Sequence, residues 1–356
     1  MRYNDRPGLL LINLGTPRSP RPSDVRPYLR EFLSDPRVID VSALKRWLVL
    51  NLFILPFRPR KSGEAYEQIW TERGSPLLFH SQDLAAKVRK RIGDGVDVDL
   101  AMRYGEPSIA AALERFKHRG VRRIVAFPLY PQYSTAATGS SMEKVYAEAA
   151  KYWVTPYIQV VPPFYDHPSF LDACAEQARP VLEGACPERV YFSFHGVPER
   201  HVTKGDLTGS HCLCRDDCCD TISSVNADCY RAQCYATARL LAERLGISED
   251  NRTVCFQSRL GRDPWLRPYT DHVVQEEPRR GVKNAVILSP AFVADCLETI
   301  EELGIRAVND WKANGGENLT LVPAVNSSDR WADAVVEIAR EASPWLTATS
   351  KVAVES

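Results

Sequence analysis

The chain has 356 residues, long enough for two domains with buried cores, and its 44% hydrophobic and 25% charged residues are those of an ordinary globular protein. Lys+Arg and Asp+Glu both number 45, so the formal net charge is zero, which argues against a general nucleic-acid binder with its basic excess. The N-terminal MRYNDRPGLLLINLG is apolar in part, but Asn13 and Gly15 interrupt it and no small-residue cleavage site follows; it reads as a first strand rather than an export signal, and a cytoplasmic chain with reduced thiols is the expectation.

Short apolar runs predict buried parallel strands at Leu9 to Leu14, Asp97 to Met102, Ile124 to Leu129, Val190 to Phe194 and Ala285 to Ser289. Helical patterns lie between them. SIAAALERFKHRG starts at a capping Ser108 and stops at Gly120, and CYATARLLAERLG stops at Gly246. This alternation predicts an α/β protein with parallel sheets, in two halves of similar rhythm joined near Pro162 and Pro163. The tail after Trp345 is small and polar and is expected to fray.

WLVLNLFILPF, Trp47 to Phe57, breaks the pattern. It is too short for a membrane span, which needs about 20 apolar residues. Lys45, Arg46, Arg58, Arg60 and Lys61 flank it. Two readings stand: a core helix with solvated ends, or an apolar lip that takes up a greasy ligand or touches a membrane surface.

Ligands of open α/β sheets bind beyond the carboxyl ends of the strands, where FSFHG ends on His195 with Gly196 allowing a tight turn. In SPAFVADCLETIEELG, Pro290 breaks a strand and a helix is expected to start near Asp295. Asp295, Glu298 and Glu302 then share a helical face, either as a solvated stripe with Asp295 as N-cap or as acids that deliver a divalent cation or take up protons. Six of the ten cysteines fall between Cys212 and Cys234. Thiols clustered on a polar loop in a reducing compartment favour a metal or iron–sulfur site over disulfides.

Taken together the residues resemble a known family. LLLINLGTP, RPYLREFLSDPRVID, GSPL, AMRYG, PLYPQYSTAATGSS, FSFHGVPER, FQSRLGRDPWLRP and SPAFVADCLETIEEL follow, in order and over almost the whole chain, the pattern of ferrochelatases, the enzymes that insert Fe²⁺ into a porphyrin in haem biosynthesis. The resemblance implies two Rossmann-like domains with parallel sheets, the porphyrin cleft between them, and a C-terminal helix returning to the first. The boundaries expected are 1–165 plus 322–350, and 166–321 with a cysteine-rich insert at 205–234. It implies His195 and Glu298 as the catalytic pair, with His195, Asp295, Glu298 and Glu302 along the iron path. Arg103, Tyr104, Tyr130, Trp265, Leu52 and Phe53 are implied at the porphyrin. Protoporphyrin IX is favoured, with coproporphyrin III as the alternative, and a peripheral contact with the inner membrane at the lip is a further expectation.

The chain departs from one version of the family. The [2Fe–2S] cluster that some members hold through a cysteine in the PQYS region and three near the C-terminus has no counterpart, since Thr135 stands at the first position and LTATSKVAVES has no Cys. Other members share the pattern HC…CC…CYRAQC, which implies a [2Fe–2S] cluster on four of Cys212, Cys218, Cys219, Cys229 and Cys234, with zinc as the rival. Cys214 has least support, and Cys296 fills a slot where other members carry His. Cys174, Cys186 and Cys255 are expected to be packing residues. The competing functions are a cobalt chelatase of a related tetrapyrrole, against which the apolar lip and the PQYS and SRLG blocks argue, and a non-catalytic tetrapyrrole carrier or redox sensor, which needs no His195 opposite an acid array.

Overall fold

The structure is a computed structural model that describes residues 6–261 and 263–347; the tail expected to fray lies outside them apart from its first residues. The chain divides into two units. One comprises Met1–Leu129, Thr135–Pro162 and Ser327–Ser356, the other Tyr130–Ser134 and Pro163–Asn326.

Each unit holds a four-stranded parallel sheet. The first has the order β2-β1-β3-β4, from β1 (Gly8–Gly15), β2 (Asp97–Tyr104), β3 (Arg123–Pro128) and β4 (Tyr157–Val160). The second repeats the pattern as β6-β5-β7-β8, from β5 (Arg189–His195), β6 (Arg252–Gln257), β7 (Asn284–Leu288) and β8 (Asn318–Leu321). Leu9, Leu10, Leu11 and Ile12 are all fully buried, because helices cover both faces of a parallel sheet, so the central strand reads as an unbroken apolar run. The strand order reverses between β1 and β3 and again between β5 and β7, and such a switch point opens a crevice at the carboxyl ends. His195, the last residue of β5, stands at the second of these.

Local chemistry sets the helices. Ser108 caps Ile109–His118 by accepting from the Ala111 N–H, and Tyr230–Leu245 ends on Gly246 in the left-handed conformation at φ 68°. The Asp329–Ala342 helix packs on Pro76–Ile92 in the first unit, with Arg91 donating to Asp329 and Asp333. Residues 130–134 belong to the second unit because Gln132 donates to Thr237 (3.0 Å) and the Tyr133 N–H to Gln233 (2.6 Å).

Two local expectations need correction. Residues 297–307 form a π-helix, Leu297–Ala307, rather than an α-helix from Asp295. Cys186 is no packing residue: it is exposed, at φ 41°, where it ends the Pro168–Ala185 helix.

Candidate active site and cysteine loop

His195 is half-buried at the end of β5. Its Nδ1 lies 2.6 Å from the Gly196 carbonyl oxygen, which can only accept, so Nδ1 carries a proton and, in the neutral ring, Nε2 holds the free lone pair. The Gly196 N–H donates to the Gln257 carbonyl at 2.8 Å. A Cβ at position 196 would stand 2.9 Å from that oxygen and 3.2 Å from the Trp265 ring, so close approach, not a positive φ, demands the glycine. The Trp265 ring centroid lies 6.5 Å from that of His195, and its buried indole N–H has no acceptor among the described residues.

The acids behave differently from one another. Asp295 precedes the π-helix, and its carboxylate accepts from Asn326 Nδ2 (2.7 Å), Thr299 Oγ1 (3.0 Å) and the Ala324 N–H (3.1 Å). Its oxygens anchor the loop that leads into the π-helix. Glu298 and Glu302 lie four apart on the π-helix, whose i→i+5 bonding widens the turn. Glu302 accepts from the Ser258 N–H (2.9 Å), the Ser258 hydroxyl and Gln257 Nε2 (3.4 Å). Ser258 holds this geometry from φ 65°, a conformation uncommon for a residue with a side chain. The Glu298 carboxylate accepts from the buried Cys296 thiol. Burial first, then the neighbouring Glu298 charge, push that thiol well above its ordinary pKa, so it stays a protonated donor.

Gln257 ties these parts together. It is buried, and its Oε1 accepts from Ser193 (2.8 Å) and Ser289 (3.2 Å) while Nε2 donates to the Glu298 carbonyl (2.8 Å) and to Glu302. Its own carbonyl holds the His195–Gly196 turn. One residue therefore fixes both the histidine turn and the acid-bearing helix.

In the first unit Arg103 donates to Asp35 (2.6 Å) and Ser140 Oγ (2.6 Å), and Tyr104 donates to the same Asp35 oxygen (2.8 Å). Tyr104 is fully buried, so its side chain presents no surface to a ligand; it belongs to the wall behind Arg103, a correction to its expected place at the porphyrin. Tyr130 is half-buried in the second unit. The Trp47–Phe57 segment is no core helix: Trp47, Leu52, Phe53 and Phe57 are 58%, 55%, 69% and 72% exposed, while Leu50 and Leu55 anchor it.

The cysteine loop brings four thiols together. Cys212 and Cys219 neighbour Cys229, and the Cys218 and Cys219 sulfurs lie 3.8 Å apart. The Cys219 hydrogen bond, with the Ala232 and Arg231 N–H groups at the start of the Tyr230–Leu245 helix, holds Cys229 below its ordinary pKa against the opposing effect of burial. Arg231 Nη1 lies 3.1 Å from Cys219 Sγ and 3.4 Å from Cys218 Sγ. Cys234 is buried, and its thiol meets the Tyr230 hydroxyl with Cys229 also close enough to act on it. Cys214 is exposed. All ten cysteines are free, and among the described residues no three His, Cys, Asp or Glu side chains are arranged to hold a single ion.

The ferrochelatase family model matches residues 6–343. The chain belongs to the ferrochelatase family. Ferrochelatase from Coxiella burnetii (strain RSA 493 / Nine Mile phase I) is 43% identical over 96% of this chain and 95% of its own length. Ferrochelatase from Legionella pneumophila (strain Paris) is 45% identical over 94% and 99%. Family members are lyase-type metal chelatases, and this chain's reaction is iron insertion into a porphyrin in haem synthesis. Among solved structures it is similar to SirB from Bacillus subtilis with Fe³⁺ (12% identity, TM-score 0.52, 95% of each chain). The sirohydrochlorin chelatase SirB from Bacillus subtilis subspecies spizizenii in complex with cobalt gives 12% identity and a TM-score of 0.54 over 95% and 96%. At that identity the likeness establishes the chelatase fold alone, and the cobalt in that structure says nothing of this ferrochelatase's metal.

Sequence reasoning missed Gln257, Ser258, Asp35 and Ser140. Gln257 and Ser258 lie inside FQSRLG, and a polar pair closing an apolar strand was the available signal. Asp35 and Ser140 carried none, since only the fold brings them to Arg103.

Proposed function

We propose that the chain inserts Fe²⁺ into protoporphyrin IX, with His195 as the base that takes the pyrrole protons and Glu298 as the carboxylate beside it. The observation that carries this reading is the tautomer of His195. With Nδ1–H committed to the Gly196 carbonyl, Nε2 is left to accept a proton, and the imidazolium that forms keeps its hydrogen bond to the carbonyl dipole. The free-base ring must lose two N–H protons and bend so that nitrogen lone pairs leave its plane; contacts around the ring periphery supply that distortion energy. Trp265, Tyr130, Arg103, Leu52 and Phe53 are assigned to those contacts. Oxygen ligands such as Glu298 pass Fe²⁺ on without trapping it as thiolates would. Glu302, one π-helical turn on from Glu298, is held in place by Ser258 and Gln257. An anaerobic assay with Fe²⁺ and either protoporphyrin IX or coproporphyrin III tests the reading; turnover of coproporphyrin III alone overturns the substrate, and no turnover of either overturns the site.

The exposed Trp47–Phe57 segment, flanked by basic residues, supports a peripheral contact with a membrane surface. Among the described residues no helix is long and apolar enough to cross a membrane. Replacing Leu52 and Phe53 together by Ser is expected to weaken porphyrin or liposome binding. The melting temperature should barely move, because exposed substitutions cost about 0.5 kcal/mol or less. A core segment would lose roughly 1.5–3 kcal/mol per side chain, so a large fall in melting temperature with unchanged affinities refutes the lip.

We assign a [2Fe–2S] cluster to Cys212, Cys218, Cys219 and Cys229, supported by four thiols on one loop, one of them held below its ordinary pKa, beside the Arg231 cation and a helix N-terminus that offset anionic charge. Such a cluster supplies a one-electron centre and a covalent staple for the loop. Anaerobically purified protein is expected to be reddish-brown with about two irons and two acid-labile sulfides per chain. Cys229→Ser should remove the colour and Cys234→Ser should keep it. Colourless protein with stoichiometric zinc, or a Cys229→Ser variant with an intact spectrum, overturns the assignment.

A further inference from the structure

Tyr230 joins two regions that the sequence treats separately. It is the first residue of the Tyr230–Leu245 helix and follows Cys229, the residue that caps that helix. Its hydroxyl donates to the backbone carbonyl of His195 at 2.7 Å. The ring is buried, so no bulk water replaces that bond when it is lost. The same turn is held from the other side, where Gly196 N–H meets the Gln257 carbonyl at 2.8 Å. His195 Nδ1 in turn takes its direction from the Gly196 carbonyl. A shift of the His195–Gly196 backbone therefore moves the acceptor that orients the imidazole.

The cysteine loop is built to place Tyr230. The Asp206 carboxylate gathers the N–H groups of Thr208, His211 and Cys212 at 2.8–2.9 Å. The Asn226 side chain donates to the carbonyls of Cys218 and Thr221, each at 2.9 Å. The loop closes on Cys229, one peptide bond before Tyr230.

We propose that Tyr230 is a positioning residue through which the cysteine loop sets the orientation of the His195 imidazole. The proposal rests on the reading of His195 as the reaction's base. Whatever holds the four thiols together holds Cys229; Cys229 holds the start of the helix; and the Tyr230 hydroxyl carries that order to the His195 carbonyl. Loosening the thiols is then felt at the base, although no cysteine touches it.

The test is Tyr230→Phe, which deletes the hydroxyl and keeps the ring. The protein has seven histidines, so ring ¹H–¹³C resonances are resolvable and His195 is assigned by its loss in His195→Ala. In Tyr230→Phe the His195 resonance should shift, with kcat for iron insertion down about five- to tenfold, the scale of one hydrogen bond, and porphyrin KM within about twofold. Cys229→Ser should move the same resonance in the Tyr230 background and add little in Tyr230→Phe; Cys218→Ser serves if Cys229→Ser does not fold. An unshifted His195 resonance in Tyr230→Phe, or cysteine effects undiminished in that background, overturns the proposal. A resonance that shifts as expected while the insertion rate stays unchanged upholds the positioning and refutes His195 as the base.

Discussion

His195→Ala is expected to abolish iron insertion while leaving porphyrin binding largely intact. On the proposed reading the imidazole acts on the ring nitrogens through Nε2 and contributes little to the periphery where the macrocycle gains its binding energy. Loss of a positioned acid/base group typically costs 10²–10⁴-fold, and here two protons depend on it, so the upper part of that range is expected. Glu298→Gln keeps the shape, and the amide oxygen can still accept from the Cys296 thiol, but the charge is gone; a fall of about 10²-fold is expected. Single-turnover insertion, followed by loss of the free-base spectrum, measures the chemical step, and fluorescence quenching measures binding. Near-normal turnover in either variant shows the reaction centre to lie elsewhere.

The second large effect is expected in the first unit, far in sequence from His195. Asp35 accepts from Arg103, Tyr104 and Ser140 on one oxygen, and from the Arg37 N–H on the other. Its side chain is 4% exposed and that of Arg103 12%. Asp35→Asn leaves the guanidinium without its counter-charge, and breaking a buried pair from one side costs about 3–5 kcal/mol. For a domain of this size that is a fall on the order of 10 °C in the unit's melting transition. Burial by itself pushes the Asp35 carboxyl upward, but hydrogen bonds from Ser140, Arg37 and Tyr104 and the Arg103 charge overcome it and hold it below 3.8. Stability from a carboxyl depressed in this way is present above its unfolded-state value and is lost as the pH falls through the folded one. The gap between the native protein and Asp35→Asn should thus be constant from about pH 5 to 7 and narrow below about pH 4. A gap under about 1 kcal/mol at neutral pH, or one that persists unchanged into acid, counts against the network.

Much of the fold was legible because parallel strands buried on both faces leave an unbroken apolar run. All five expected strands are present, from β1 to β7. The Ser108 cap and the Gly246 stop were legible because capping depends on residues a turn away. Tyr157–Val160, Arg252–Gln257 and Asn318–Leu321 were missed: each is part-exposed at a sheet edge, and the first and last have only four residues, too short for a periodic signal. The π-helix over Leu297–Ala307 was read as α because residue spacing shows which side chains are apolar but not the ring size of the backbone bonds.

By itself the sequence determined the α/β class, the chelatase family, the histidine at a strand end and the thiol-rich loop, since each is written in local pattern or in ordered blocks of residues. Tertiary structure alone decided which groups are already engaged. Tyr104 is buried behind Arg103, Asp295 is bound by Asn326, Thr299 and Ala324, and the Cys234 thiol meets the Tyr230 hydroxyl. The physical reason is that periodicity reports the burial of a residue on its own element. A hydrogen bond is short and directional, and its partner is chosen by how elements distant in the chain pack. Gln257 joins the His195 turn to the Glu298 helix through bonds to the Gly196 N–H and the Glu298 carbonyl, and no stretch of neighbouring residues encodes that arrangement.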